Sequence, residues 1–408
     1  MESNMDILNM DILEKKLCYK LYLTNEGNLS FTTSQYGEVR KTQYTNKTSY
    51  SMINLKSDDS SDNLFFDTCP KISWEDDIQL FLLQTSFRQN KMINLSIQIS
   101  IDKSDQSFMK DSKKSTVSGI ETSINISFIY PIGSSFLTIY REHIVPKFLE
   151  RDAVLNEIKT ELMSINDDYG GFLTSTIKKV SIETYDIILP SGKGGVFVHE
   201  AIGHCLEADH FFLRQNVFSG KEGKRVTNKN ISISDRCKAI DIINYSLSQD
   251  GTIPIDVKLV ENGYLSSIMS DEYFSKLYGI VDTGNGRAMS CRDMPIPRMR
   301  NTYLHNGCTE SAEIIRTTKK GVIATEIRGG SVNCANGNFL FNVSHGLVIE
   351  DGEIIGITEP FMYSGNVLDA LNTIDVIGND LSFVSAKCGK EGQQLTVAYG
   401  QPTLRISR

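Results

Sequence analysis

The chain has 408 residues, of which 40% are hydrophobic and 23% are charged, and its formal net charge is −8. This length allows two domains or one large domain with an extension, and the hydrophobic content allows a substantial core. An acidic chain without clustered Lys and Arg is not expected to bind nucleic acid.

The first twenty residues carry acidic side chains early and no continuous apolar segment, so they are not expected to form a signal peptide. No run of about 18 apolar residues follows, and no membrane span is predicted. Together these features predict a cytoplasmic protein with reduced thiols. Seven of the eight cysteines, which include no CxxC pair, are interpreted as small core residues, and Cys388 is considered separately.

Residues 1–180 are predicted to form an N-terminal domain of mixed α and β structure. Segments 54–63 and 101–119 are polar and predict loops, whereas the alternating segment INLSIQISI, residues 93–101, predicts a strand. A helix is predicted over 145–165, with Pro146 in its first turn. Its apolar face would carry Phe148, Leu155, Ile158, Leu162 and Ile165.

Residues 181–408 are predicted to form a β-rich domain, which makes the whole chain an α+β protein. The segment SIETYDIIL, residues 181–189, predicts a strand, and a buried metal-binding helix is expected after it. Three dipeptides supply the positive φ values of type I′ turns and predict hairpins: Asn262-Gly263, Asn336-Gly337 and Asp351-Gly352.

The segment GGVFVHEAIGHCLEADHFF places His199, Glu200 and His204 in an apolar setting. Burying such groups is costly unless something pairs with them, and a metal ion would do so. Residues five apart in an α-helix lie about 140° apart around the axis, so both imidazoles reach one metal only if the helix loosens. We therefore predict a π-bulge, which Gly203 would ease.

Catalytic zinc takes three protein ligands and one water, and an adjacent carboxylate such as Glu200 can act as general base in peptide hydrolysis. Spacing alone leaves the third ligand open among Glu207, Asp209, His210 and Cys388. A different interpretation is that the imidazoles and Glu200 are core residues satisfied by hydrogen bonds, because so short a pattern also occurs by chance.

Other polar motifs predict less. Arg298 and Arg300, in PIPRMRN, could contact a substrate carboxylate, but a position facing solvent is the simpler expectation. The segment SGKGG, residues 191–195, lacks the GK[ST] of a phosphate-binding loop. His305 and His345 could be ligands, although isolated histidines usually are not.

Several motifs taken together resemble the TldD/PmbA family of metallopeptidases, and specifically its metal-bearing TldD-type subunit. They occur in the family's order from about residue 190 to the C-terminus: GVFVHEAIGHCLEAD, ENGYLSSIMSDEYFSKLYG, TGNGRAMS, MPIPRMRNTY, GGSVNCANGNFLFNVSHGLVIEDGEI, VIGND, CGKEGQ and VAYGQPTLRIS. This ordered set is far more specific than HExxxH alone.

The resemblance implies that His199, His204 and Cys388 bind zinc and that Glu200 is the catalytic base. It also implies a substrate of unfolded or extended peptides, including leader peptides, bound by β-strand addition. The implied partner is a TldE-like subunit in a heterodimer, with a homodimer as the other option. No nucleic acid or membrane is implied.

The first 180 residues match the family pattern poorly. Their divergence motivates a second hypothesis, in which the chain is a non-catalytic peptide-binding or scaffold subunit of a TldD/TldE-like complex. A third hypothesis is a metal-dependent hydrolase that acts on a non-peptide amide.

Overall fold

The fold is described from a computed structural model. It defines the backbone of residues 22–34, 37–55, 94–110, 113–132, 135–147, 149, 151–172, 177–213, 215–238, 245, 247–289 and 293–408, with side chains from residue 121 onward apart from 131 and 151. By internal contacts these residues divide into two units. One unit includes 120–172, with parts of the earlier strands, and the other includes 177–408. That the chain forms separate domains divided at residue 180 stays a prediction.

Five strands come first and form one sheet in the order β1-β2-β3-β4-β5. Their bounds are Tyr22–Ser34 (β1), Gly37–Leu55 (β2), Asn94–Lys110 (β3), Lys113–Ile132 (β4) and Ser135–Val145 (β5). The predicted strand at 93–101 is therefore confirmed, but the loop predicted at 101–119 is wrong. Polar composition does not exclude a strand, because an antiparallel sheet can expose one face to water. Most of the other predicted loop, residues 56–63, lies outside the described residues.

Helix α1 covers Arg151–Tyr169 and a 3₁₀ turn covers Gly170–Phe172. The predicted helix therefore begins later than expected, because β5 continues to Val145 and Pro146 ends that strand. Its predicted apolar face is confirmed where the side chains are described, since Leu155, Ile158, Leu162 and Ile165 are all buried. Phe148 lies outside the described residues.

The second unit contains short helices and strands. Its helical turns are 3₁₀ at Ile182–Thr184, Lys193–Gly195 and His204–Leu206, π at Val198–Gly203, and α at Ala208–Phe212 (α2), Glu272–Tyr278 (α3), Ser311–Arg316 (α4) and Val367–Thr373 (α5). The strand predicted over 181–189 is confirmed only for Asp186–Leu189, because a 3₁₀ turn takes its first half.

Seventeen strands follow in this unit. They are Asp186–Leu189 (β6), Ile233–Arg236 (β7), Val257–Glu261 (β8), Tyr264–Leu265 (β9), Gly286–Arg287 (β10), Ile296–Pro297 (β11), Asn301–Leu304 (β12), Lys320–Ile323 (β13), Ile327–Asn333 (β14), Asn338–Val343 (β15), Leu347–Glu350 (β16), Glu353–Ile357 (β17), Phe361–Asn366 (β18), Ile374–Ile377 (β19), Ser382–Lys390 (β20), Gln393–Gln401 (β21) and Leu404–Ile406 (β22).

These strands form two six-stranded sheets, β20-β21-β12-β7-β8-β9 and β17-β16-β13-β6-β22-β19, with a three-stranded sheet β14-β15-β18 and the pair β10-β11. The predicted β-rich C-terminal region and the α+β class are confirmed. The π-helix packs against β12 and β21 of the first sheet and β14 and β15 of the three-stranded sheet. Its apolar residues Val198, Ala201 and Ile202 are fully buried in the core of the unit.

All three predicted hairpins are present, and two of them have the predicted type of turn. Asn262-Gly263 joins β8 to β9 and Asp351-Gly352 joins β16 to β17, with positive φ at both residues of each pair. The β14–β15 loop has positive φ only at Gly337, so it is not type I′. A further hairpin with positive φ at two residues, Glu391-Gly392, joins β20 to β21.

Five cysteines are described and all are free thiols. Cys205 and Cys334 are buried as predicted, but Cys308 is exposed and is not a core residue. Among the residues that the structure describes, no helix is long and apolar enough to cross a membrane.

Candidate metal centre

The chain between β6 and α2 carries the HExxxH motif on the distorted helix that its spacing predicts. The backbone N–H of His204 donates to the carbonyl of His199, five residues earlier, which is the hydrogen bond of a π-turn. The longer repeat brings the two imidazoles to the same side, with their ring centroids 4.9 Å apart. The predicted π-bulge is therefore confirmed.

Gly203 serves this turn differently from the prediction. Its φ of −56° is ordinary for a helix, so its freedom is not used to distort the backbone. A Cβ at this position would lie 2.0 Å from the Sδ atom of the buried Met299. Gly203 is therefore required for close packing against the segment that precedes β12.

Cys388, 184 residues further along the chain, lies beside the two imidazoles. Its Sγ atom is 3.5 Å from Nε2 of His204. One ligand atom from each of His199, His204 and Cys388 lies within 4.8 Å of the other two, and all three residues are buried. Strand β20 alternates in burial, with Cys388 and Lys390 directed inward and Gly389 exposed between them.

The electrostatics of the cluster favour a thiolate. Burial opposes ionisation of Cys388, but the charge of His199 and hydrogen bonds from both imidazoles lower the pKa of the thiol to about 4. Burial also opposes charge on His204, yet the Glu207 carboxylate raises the pKa of that imidazole well above its ordinary value. A negative sulfur between imidazoles is a ready site for a cation.

The donor set fits a divalent transition metal. Two imidazole nitrogens and one thiolate are ligands that suit zinc, and three protein ligands leave a fourth position open. Nδ1 of His199 is buried and has no hydrogen-bond partner among the described residues, so a ring atom of this residue is available to a ligand. The other interpretation of the motif, core residues satisfied by hydrogen bonds, does not account for this unpaired nitrogen.

Glu200 lies beside the cluster and is partly exposed. Its Oε2 atom is 3.8 Å from Nε2 of His204, and its side chain is 21% exposed whereas that of Glu207 is fully buried. A carboxylate that borders the ligand cluster and still reaches solvent can exchange protons with a water molecule placed there.

The other candidates for the third ligand have different partners. Glu207 accepts a hydrogen bond from Nδ1 of His204 at 2.9 Å. Glu207, Asp209 and His210 do form a second cluster with ligand atoms within 4.8 Å of one another. The ammonium of Lys390 already binds Glu207 at 2.9 Å and Asp209 at 2.7 Å, so an internal cation occupies this cluster.

Arg298 and Arg300 do not face solvent, so that expectation is wrong. Arg298 is fully buried, and its guanidinium donates to the carbonyl of Cys388 at 2.7 Å. Arg300 is 1% exposed and pairs with the buried Asp235, with Nε 2.9 Å from Oδ2. Arg298 therefore holds the backbone of Cys388 and Arg300 is held by Asp235, because buried ionic groups persist only when they are paired or hydrogen-bonded.

The remaining motifs supply no ligand to the cluster in the part of the chain that the structure describes. His305 bonds the hydroxyl of Ser234, and His345 bonds the carbonyl of Thr358. Neither histidine belongs to a potential metal cluster of the described chain. The segment 191–195 contains a 3₁₀ turn, within which Gly194 and Gly195 are buried.

Lys390 and the hydrogen-bonding role of Glu207 were not foreseen from the sequence. A signal for Lys390 exists, because residues two apart on a strand share a face and Lys390 follows Cys388 by two. If Cys388 is a buried ligand on a strand, Lys390 is buried on the same face, and a buried ammonium needs an acidic partner. No comparable signal identifies Met299 as the residue that Gly203 accommodates.

Known proteins share sequence with this chain. A family model described as the PmbA/TldA metallopeptidase C-terminal domain matches residues 182–408. The metalloprotease TldD homolog of Buchnera aphidicola is 32% identical over 269 residues, which are 64% of this chain and 54% of that protein. The zinc metalloprotease TldD homolog of Saccharolobus solfataricus is 35% identical over 227 residues, 55% of this chain and 50% of that protein.

The fold also has a counterpart among solved structures. TldE from Thermococcus kodakarensis superposes with a TM-score of 0.62 over 97% of this chain and 99% of that one, at 15% identity. At this identity the likeness concerns the fold alone. The chain spans about half the length of the curated relatives it matches.

Proposed function

This chain belongs to the TldD/PmbA family of metallopeptidases, and from that premise we propose that it is a zinc-dependent peptidase that hydrolyses unfolded or extended peptides. One observation carries the proposal. His199, His204 and Cys388 come from a π-turn and a distant strand, and their ligand atoms lie within 4.8 Å of one another. A buried thiolate next to two imidazoles has a direct use as a metal ligand.

In the proposed mechanism His199, His204 and Cys388 hold the zinc ion. Zinc, when bound, supplies Lewis acidity that lowers the pKa of water toward neutrality. Glu200 is the general base: it takes a proton from the attacking water and later gives it to the amide nitrogen of the leaving group. Its partial exposure allows the next water molecule to reach the regenerated carboxylate.

An extended substrate suits the strands near the cluster. Strand β14 packs against the π-helix and lies at an edge of its sheet as described. It contains Gly329 and Gly330, so little side-chain bulk covers its backbone. A peptide could add to this edge through main-chain hydrogen bonds, which give affinity with little sequence preference. Leader peptides and degradation intermediates are the substrates that we propose.

The proposed setting is the cytoplasm, and the proposed partner is a TldE/PmbA-like subunit in a heterodimer, or a second copy of the chain in a homodimer. The shared fold with a TldE protein supports an assembly of similar subunits. No nucleic-acid or membrane partner is proposed.

The test of this function is the substitution Glu200→Gln. The purified chain, alone and with a TldE-like partner, is incubated with zinc and unfolded peptides, and fragments are detected by mass spectrometry. We expect the wild type to cleave the peptides and the variant to cleave them at least about 100-fold more slowly, which is the contribution typical of general acid–base catalysis. Zinc content should stay equal. Cleavage that survives the substitution would remove the proposed base.

One observation favours the non-catalytic alternative. The family model that matches covers residues 182–408 and does not include the earlier part of the chain. A peptide-binding subunit would retain unfolded peptides without producing fragments, even with zinc and a partner supplied. Cleavage of non-peptide amides only would instead indicate a metal-dependent hydrolase that does not act on peptides.

A further inference from the structure

Lys390 is a buried ammonium whose three donors all find acceptors. Its Nζ atom lies 2.9 Å from Oε2 of Glu207, 2.7 Å from Oδ1 of Asp209 and 2.9 Å from the carbonyl of Pro297. An ammonium has three N–H bonds, so this environment satisfies it completely. Its side chain is 4% exposed.

Glu207 is the residue that this ammonium shares with the candidate metal centre. Its Oε2 atom accepts from Nδ1 of His204 and from Lys390, both at 2.9 Å. Its Oε1 atom accepts from the backbone N–H of Met299 at 3.1 Å. The carboxylate is therefore held at both oxygens, and its residue is fully buried.

The hydrogen bond to Nδ1 decides which imidazole nitrogen of His204 remains for a metal. With the proton on Nδ1, the lone pair is on Nε2, and Nε2 is the atom that lies 3.5 Å from the sulfur of Cys388. Carboxylates that accept from a ligand histidine orient its ring and raise its basicity. Glu207 has this geometry.

We propose that Glu207 is the positioning residue for His204 and that Lys390 fixes Glu207 in that role. This inference rests on the proposed function, because it concerns the same metal. Bound to an ammonium, Glu207 keeps its carboxylate outside the ligand set and directed at Nδ1. Cys388, the proposed ligand, and Lys390, which binds Glu207, lie on the same face of strand β20.

Asp209 provides a matched comparison. Like Glu207, it is a carboxylate that binds Lys390, but its Oδ1 atom accepts from the backbone N–H of His210 and not from His204. Glu207→Gln replaces one carboxylate oxygen with an NH₂ group, which cannot accept a hydrogen bond. If the NH₂ group takes the place of Oε2, His204 and Lys390 lose their acceptor, and if it takes the place of Oε1, Met299 loses its acceptor. Asp209→Asn also removes one negative charge next to Lys390, but it leaves the hydrogen bond between Glu207 and His204 in place.

The experiment measures Zn²⁺ affinity of the full chain by competition with a chelating dye, and the visible spectrum of the Co²⁺-loaded protein. We expect Glu207→Gln to weaken zinc binding about 10- to 100-fold and to change the cobalt spectrum. Lys390→Met should shift both in the same direction. Asp209→Asn should leave the affinity within about threefold of the wild type, an expectation that follows from the intact bond to His204.

A purely structural role for the cluster predicts a different pattern, in which both carboxylate variants lose equal affinity and equal thermal stability. That pattern, or a Glu207→Gln protein with wild-type affinity and spectrum, overturns the proposal. If Glu207→Gln does not fold, the comparison of Lys390→Met with Asp209→Asn gives the same decision.

The two proposals fail in distinguishable ways. A wild-type chain that binds no zinc refutes the proposed metal function, and the positioning role falls with it. A wild-type chain that binds zinc tightly, together with variants that all match it, refutes the positioning role alone.

Discussion

Asp271 shows how a single buried carboxylate makes stability depend on pH. It caps the N-terminus of helix α3, where Oδ1 accepts from the backbone N–H of Phe274 at 2.9 Å. Burial, reinforced by Asp250 and other carboxylates, raises its pKa from 3.8 to about 7. Between these two pH values the native chain binds more protons than the unfolded chain. Stability attributable to Asp271 therefore falls as the pH rises from about 4 to about 7.

The substitution Asp271→Asn should remove this pH dependence and preserve the cap, since asparagine is also a good N-cap. One pKa unit corresponds to about 1.4 kcal/mol. We expect the free energy of unfolding to increase by at least about 1 kcal/mol at pH 8 and to be nearly unchanged at pH 4, as measured by urea denaturation. The exposed Asp369→Asn, in the first turn of helix α5, serves as the control and should change little. Parallel pH profiles for Asp271→Asn and the wild type would contradict the assignment.

The residues of the proposed site were predictable to different degrees. His199 and His204 follow from their own spacing, and Cys388 follows from the family resemblance. Arg300 was misplaced because its partner, Asp235, lies 65 residues away, and nothing in PIPRMRN indicates that pairing. Local sequence shows that a group is charged, whereas burial depends on which distant residue meets it.

The π-helix is the element on which the proposed centre depends, and its packing is tight at Gly203. A methyl group there would overlap the Sδ atom of the buried Met299. Overpacking of a filled core typically costs about 1–3 kcal/mol. We expect Gly203→Ala to lower the free energy of unfolding by that amount and to weaken zinc binding, as measured by urea denaturation and dye competition.

The matched control for this substitution is Gly389→Ala, because a Cβ at Gly389 meets no atom within 4 Å. The double variant Gly203→Ala with Met299→Ala should lose less unfolding free energy than the two single variants lose when their losses are added together. Strict additivity would show that the two residues do not compete for the same space.

Among the elements, short-range signals predicted well and pairing did not. The asparagine–glycine and aspartate–glycine turns at 262–263 and 351–352 followed from local φ preferences. The polar segment 101–119 was predicted as loop, although strands β3 and β4 include its described residues. Strand pairing depends on a neighbouring strand, and polarity by itself does not reveal whether that neighbour exists.

At the scale of the whole molecule, removal of zinc should abolish cleavage and leave the fold intact. The unit of residues 177–408 has an extensive apolar core around the π-helix, which does not depend on the candidate ligands. A ligand at 100 times its Kd stabilises a protein by about 2.7 kcal/mol. We therefore expect a chelator to lower the Tm by several degrees, as measured by calorimetry, with the circular dichroism spectrum at 25 °C unchanged.

The control is the double variant His199→Ala with Cys388→Ser, on which the chelator should have no effect. Unfolding of the wild-type chain at 25 °C on chelation would indicate instead that the metal is required for folding, as in small zinc domains.

The placement of Cys388 on a C-terminal hairpin has a consequence for biosynthesis. Because 184 residues separate this thiol from His204, the candidate centre cannot close until β20 and β21 have joined their sheet. Such long-range contacts form late in folding. A nascent chain interrupted before that hairpin would contain both imidazoles and Glu200 but lack the sulfur, so we expect the proposed hydrolytic activity to be absent from incomplete translation products.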